Sequence, residues 1–196
     1  MNSAQPIKST KDLEKFKRYY QEIKPNYRNE LLIVLGLNTA LRISDILSLE
    51  WHSVYNFETK EYRNHISIVE QKTGKVSQIY LNTNVLRVLK NYKDYLKRKG
   101  KTIEPNNFIF THSNKNVPIT RTQAFRIIKE VADYYNISGV ISCHSLRKTF
   151  GYHAWKQGVE PVLLVTVFNH SSFNITKRYL GIEQDDKDKI FKKIKL

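Results

Sequence analysis

The feature that most constrains this chain is a change of hydrophobic period at its middle. From Arg28 to Thr39 the residues are strongly apolar (Leu31, Leu32, Ile33, Val34, Leu35, Leu37), which predicts a buried helix. From His65 the period drops to two. His65-Ile66-Ser67-Ile68-Val69 and Val76-Ser77-Gln78-Ile79-Tyr80-Leu81 alternate like strands, with the turn signal Lys72-Thr73-Gly74-Lys75 between them. This predicts a hairpin, with a third short strand near residues 54–57. Helical signals resume at Asn82 or Thr83 and continue to about Lys99, where Gly100 ends the helix. The expected fold class is therefore mainly α with a small antiparallel β-sheet.

Other boundaries follow from caps and breakers. Residues 1–8 read as a loose lead-in. Ser9 or Thr10 caps a helix to about Ile23, with Asp12 in its first turn and Pro25 as its stop. A short helix carries Arg42 to Leu49. Phe108-Ile109-Phe110 is a short buried turn or strand. Thr120 caps a helix to Tyr135, and His144 to Gln157 form another, closed by Gly158. Glu160–Phe168 and Thr176–Leu180 are two short helices. Asp185–Leu196 is a final amphipathic helix with Ile190, Phe191, Ile194 and Leu196 on one side. No internal repeat, low-complexity run or long linker interrupts the chain. The organisation expected is a lead-in and first helix over 1–25, one main domain over 26–182 and an amphipathic tail over 183–196.

Composition limits the partners. Lys and Arg number 33 against 18 Asp and Glu, a net charge of +15. So large a surplus points to a polyanion, most often nucleic acid, with anionic membrane as the competing reading. No apolar run is long enough to span a bilayer. With 40% hydrophobic residues in 196, there is material for one sizeable core. Cys143 is the single cysteine, which excludes an internal disulfide and a zinc cluster of paired cysteines, and suits a reducing, cytoplasmic setting.

Chemistry-bearing residues recur in a definite order. Arg42 and Asp45 lie in Ala40-Leu41-Arg42-Ile43-Ser44-Asp45, and Lys72 in Glu70-Gln71-Lys72-Thr73-Gly74-Lys75. His144-Ser145-Leu146-Arg147 places a histidine and an arginine three apart, on one helical face. His170 follows in Phe168-Asn169-His170-Ser171-Ser172, then Tyr179 in Thr176-Lys177-Arg178-Tyr179-Leu180. Arginines grip phosphate oxygens in a planar fork, histidines and lysine move protons, and a tyrosine can attack phosphorus. Together they form a kit for phosphoryl transfer that needs no metal or cofactor. Basic faces such as Lys90-Lys93-Lys97-Arg98 and Arg121-Arg126-Lys129 read as part solvated surface and part DNA-backbone contact.

From about Leu31 to Gly181 this order resembles the tyrosine recombinase (phage integrase) family. The resemblance implies that family's catalytic-domain fold, mostly helical with a small sheet near the active site. It implies Arg42 and Arg147 as phosphate clamps, with Asp45 orienting the site from behind. Lys72 is implied as general acid for the departing 5′ oxygen, with Lys75 its nearest rival. His144 would assist deprotonation of the nucleophile, His170 is the second histidine, and Tyr179 is the nucleophile. Asn169 replaces the family's usual glycine before the second histidine, and Asn tolerates the same left-handed backbone.

The implied activity is site-specific cleavage and rejoining of double-stranded DNA through a 3′-phosphotyrosyl intermediate. Partners implied are duplex DNA, further copies of the chain (dimer to tetramer on DNA) and accessory DNA-bending proteins. Cytoplasmic, nucleoid-associated action follows. A nicking and closing activity of the type IB topoisomerase kind, and a DNA-binding regulator without catalysis, are the alternatives. The short region before Arg42 fits a natural single-domain member, like the fimbrial-switch invertases, or a fragment. Opening on Met1 and ending on an apolar tail favour the former.

Overall fold

The computed structural model describes residues 4–69, 74, 76–112 and 115–194, apart from the side chains of residues 184–186, 189 and 190. Among these, ten helices accompany two short antiparallel ladders, so the expected fold class holds. Helix α1 (Thr10–Arg18) starts where Ser9 accepts a hydrogen bond from the Asp12 N–H at 3.2 Å. It passes into a π-helical turn over Tyr19–Ile23 before Pro25.

Helix α2 (Tyr27–Asn38) is the axis of the molecule. Asn26 caps it by accepting from the Asn29 N–H at 3.0 Å, and every residue from 29 to 37 is buried. Its apolar circumference needs cover on all sides. That cover comes from α1, α3 (Ile43–Leu47), α5 (Thr83–Arg98), α6 (Arg121–Tyr134) and α7 (Cys143–Lys156). Burying each such leucine or isoleucine contributes roughly 1.5–3 kcal/mol relative to exposure.

The short helix α4 (Trp51–Val54) leads into β1 (Tyr55–Asn56), which pairs with β2 (Glu61–Tyr62). Strands β3 (His65–Val69) and β4 (Val76–Tyr80) form the expected hairpin, in register from His65 opposite Tyr80 to Val69 opposite Val76. The third strand expected near residues 54–57 exists as β1. It pairs with β2 rather than extending the β3–β4 ladder, so there are two small sheets among the described residues.

Beyond α7 come α8 (Pro161–Phe168), α9 (Phe173–Leu180) and α10 (Glu183–Lys193). They bring a second, smaller core: Tyr152, Leu164, Phe168, Leu180 and Ile182, with Ala40 at its edge. Gly151 is where α7 touches this core. A Cβ there would stand 2.5 Å from Phe168 Cζ and 2.6 Å from Leu180 Cδ2, so only glycine lets the helices approach this closely.

From residue 4 onward the lead-in is not loose. Pro6 and Ile7 are buried. The Gln5 N–H donates to the Val140 carbonyl and the Ile7 N–H to Thr149 Oγ1, both at 2.9 Å, while His153 Nε2–H donates to the Ile7 carbonyl at 2.9 Å. These partners lie more than 130 residues away in sequence, which is why no local signal announced the packing. Phe191 on α10 and Ile194 just beyond it are 79% and 58% exposed, so these apolar side chains of the tail do not fold back onto the domain. The side chain of Ile190 and all of Leu196 lie outside the described residues. No helix among the described residues is long and apolar enough to cross a membrane.

Candidate active site

The site lies at the seam between the two cores, where α2 ends. Ala40 has φ 54°, a left-handed conformation rare for a residue with a Cβ. The Ala40 carbonyl meets Arg147, whose Nη1 donates to it, while Arg147 Nη2 donates to the Phe168 carbonyl at 3.1 Å. The guanidinium is buried and stands 4.8 Å from the centre of the Phe168 ring. It also donates to the Tyr179 hydroxyl. A guanidinium carries five N–H groups in a fixed fork, so one side chain can tie two chain segments together and still face a ligand.

Arg42 is half-buried at the N-cap of α3, and Asp45 is buried in that helix's first turn. His144 is the second residue of α7, exposed at its N-terminal turn. Partial burial lowers its pKa below the ordinary imidazole value, and the positive charges of Arg121, Lys148, Arg147 and Arg42 lower it further.

Helix α8 stops at Asn169, which takes the left-handed conformation (φ 52°, ψ 46°) that the sequence anticipated for it. That turn delivers His170. Its Nδ1 lies 3.0 Å from Thr176 Oγ1, and the same hydroxyl is 3.3 Å from the Ser172 carbonyl. With the hydroxyl donating to that carbonyl, Nδ1 carries the proton of the neutral ring and Nε2 is left as the acceptor. Burial, then Arg147 and Arg42, lowers the pKa of His170.

Tyr179 rides on α9, which Ser172 caps and Gly181 (φ 68°) ends. Its ring meets the edge of His170 at 5.1 Å between centroids, inclined at 76°. Burial raises the phenol pKa, against the opposing pull of Arg147 and Arg42. The fold thus brings Arg42, Arg147 and His170 to the Tyr179 phenol, with His144 in the field of the same two arginines. Lys72 lies outside the described residues, as does its rival Lys75. A cleft of about 590 Å³ opens beside the site between β4, residues 38–41 and the end of α8, with Arg147 in its wall.

Sequence reasoning missed three contributors. Thr176 orients His170; it stands three residues before Tyr179 on one helix face, a usable signal. Ala40 and Lys148 act through contacts distant in sequence, for which no local pattern exists. The two basic faces proved mixed: Lys129 pairs with Asp133, and Lys93 lies 4.1 Å from the centre of the Tyr55 ring.

The sequence pattern of the phage integrase family matches residues 9–185. The chain belongs to the phage integrase family. It is 35% identical over 185 residues to the probable integrase/recombinase YoeC of Bacillus subtilis strain 168, covering 94% of this chain and 93% of that protein. It is 26% identical to the tyrosine recombinase XerA of Pyrococcus furiosus, covering 81% of this chain and 52% of that protein. Its fold matches the crystal structure of the XerH site-specific recombinase bound to palindromic difH substrate, a post-cleavage complex, with a TM-score of 0.71 and 19% identity over 91% of this chain and 50% of that one. The chain therefore spans about half the length of these XerA and XerH proteins, and nearly all of YoeC.

Proposed function

We propose that this chain is a site-specific recombinase that cleaves and rejoins duplex DNA through Tyr179. The observation that carries the reading is the gathering of groups about Tyr179: Arg147 donates to its hydroxyl, and the His170 ring stands edge-on to its ring at 5.1 Å between centroids. Two histidines with lowered pKa values are neutral at neutral pH, so they are ready to accept the phenol's proton.

Tyr179 Oη attacks the scissile phosphorus, its proton passing to the histidine pair. The P–O5′ bond breaks, leaving a 3′-phosphotyrosyl ester and a 5′ hydroxyl, with Lys72 as donor of the proton to the departing oxygen. A 5′ hydroxyl of a partner duplex attacks the ester and frees the phenol. Arg42 and Arg147 stabilise the charge on the five-coordinate phosphorus, and Asp45 orients the turn behind Arg42. The phosphoester energy is kept in the covalent link, so no nucleotide is consumed. The reading draws on the likeness to named recombinases and on the net charge of +15, which suits duplex DNA. It extends to assembly of two to four copies on DNA in the nucleoid, with DNA-bending proteins as helpers.

A nicked suicide duplex carrying sequence from the flanks of the chain's own gene tests it. Wild-type protein should form an adduct that survives denaturing electrophoresis. Tyr179→Phe should abolish the adduct and leave DNA binding within about twofold, since only a hydroxyl is lost. A persistent adduct in that variant would assign the nucleophile to another residue.

A further inference from the structure

Lys148 is buried one residue beyond Arg147, and the proposed chemistry does not use it. Its Nζ donates to the Ala4 carbonyl at 2.7 Å and stands 4.9 Å from the centre of the Tyr179 ring. The Ala4 carbonyl is itself fixed, because the hydrogen bonds of Gln5 and Ile7 lash this segment to Val140 and Thr149. Lys8 Nζ continues the lashing to the Gly181 carbonyl at 3.0 Å, at the C-cap of the helix that carries Tyr179. A buried ammonium needs compensation, and here it has a carbonyl oxygen and an aromatic face. Tyr179 is also faced by Arg147 from α7, by the charge of Arg42 from the turn before α3, and by the rings of Phe168 and His170 from the end of α8. Arg147 addresses the phenol oxygen, whereas Lys148 addresses the ring. A cation near an aromatic ring is held more strongly once that ring becomes a phenolate.

We propose that Lys148 is a positioning residue for Tyr179: anchored by the Ala4 carbonyl, its ammonium fixes the phenol ring and favours the phenolate. The inference rests on Tyr179 being the nucleophile. Single-turnover adduct formation on the nicked suicide duplex, followed against pH with the full chain, tests it. Lys148→Met removes the charge and keeps the stem. Lys148→Gln removes the charge and keeps a donor for Ala4, which guards against misfolding. Both should cleave about tenfold more slowly at neutral pH, with DNA binding and melting temperature near wild type. Their rate profiles should rise at higher pH than that of the wild type, so that the deficit shrinks in alkali. Lys148→Arg should recover much of the rate.

Wild-type rates and profiles in both variants would overturn the proposal. So would a loss that is equal at every pH and tracks melting temperature, since that is the signature of packing alone. A wild-type adduct mapped to a residue other than Tyr179 would instead overturn the nucleophile assignment, and this inference with it.

Discussion

Arg147 performs two tasks at once. It ties the Ala40 turn to the end of α8 through two carbonyls, and it donates to the Tyr179 hydroxyl. Lysine keeps the charge but cannot reproduce a fork. Arg147→Lys should therefore slow covalent cleavage about a hundredfold, as for loss of a transition-state donor. It should also cost about 1.5–3 kcal/mol of stability for a lost charge-assisted bond, read by denaturant melts. Full cleavage with lowered stability would make the residue purely architectural. The histidines permit a second expectation. Folding lowers the pKa values of His144 and His170, so the unfolded chain binds protons that the folded chain refuses. Their stabilising contribution is present above the unfolded imidazole pKa near about 6.5 and is lost as pH falls through the folded values. His170→Gln should flatten the decline in melting temperature between about pH 7.5 and 5.5; an unchanged slope would show that His170 titrates alike in both states.

Between elements, the decisive contact is the crossing of α7 with α8 and α9 at Gly151. Alanine improves helix propensity by about 1 kcal/mol. Its methyl, however, would collide with Phe168 and Leu180, a strain of about 1–3 kcal/mol. Gly151→Ala should therefore lower the melting temperature and, by pushing α9 outward, slow cleavage more than it weakens DNA binding. A more stable, fully active variant would show that the crossing has slack. The helices themselves were legible because their signals are local. Ser9, Asn82 and Thr120 cap where expected, and the apolar run of α2 is buried where expected. Asn169 adopts the backbone its chemistry allows. What stayed hidden is long-range. The φ of Ala40 is tied to a carbonyl needed by an arginine 107 residues away, and Lys148 meets Ala4 across 144 residues. β1 pairs with β2 instead of with the hairpin, and alternation within a strand does not encode its choice of partner.

At the scale of the whole molecule, the tail stands out. Phe191 near the end of the charge-rich helix α10, and Ile194 just after it, are exposed, which is a liability unless something covers them. Removing residues 184–196 should weaken assembly on DNA, seen by crosslinking or light scattering, while melting temperature changes little. The balance of cleavage to rejoining should shift as well. A truncation that melts readily but still assembles would make the tail a piece of the core.

The lashing of residues 4–8 has a mechanical side. Its bonds to Val140, Thr149, His153, Lys148 and Gly181 are concentrated within five residues of chain, so a pull at Ala4 meets all of them within a few ångströms of extension. Tension applied at this end is thus carried straight into α7 and the cap of α9. Whatever is attached before Ala4, whether a surface tether, a fused tag or a load-bearing partner, has a grip on the nucleophile's bearing, and a force probe hung there would read the state of the active site.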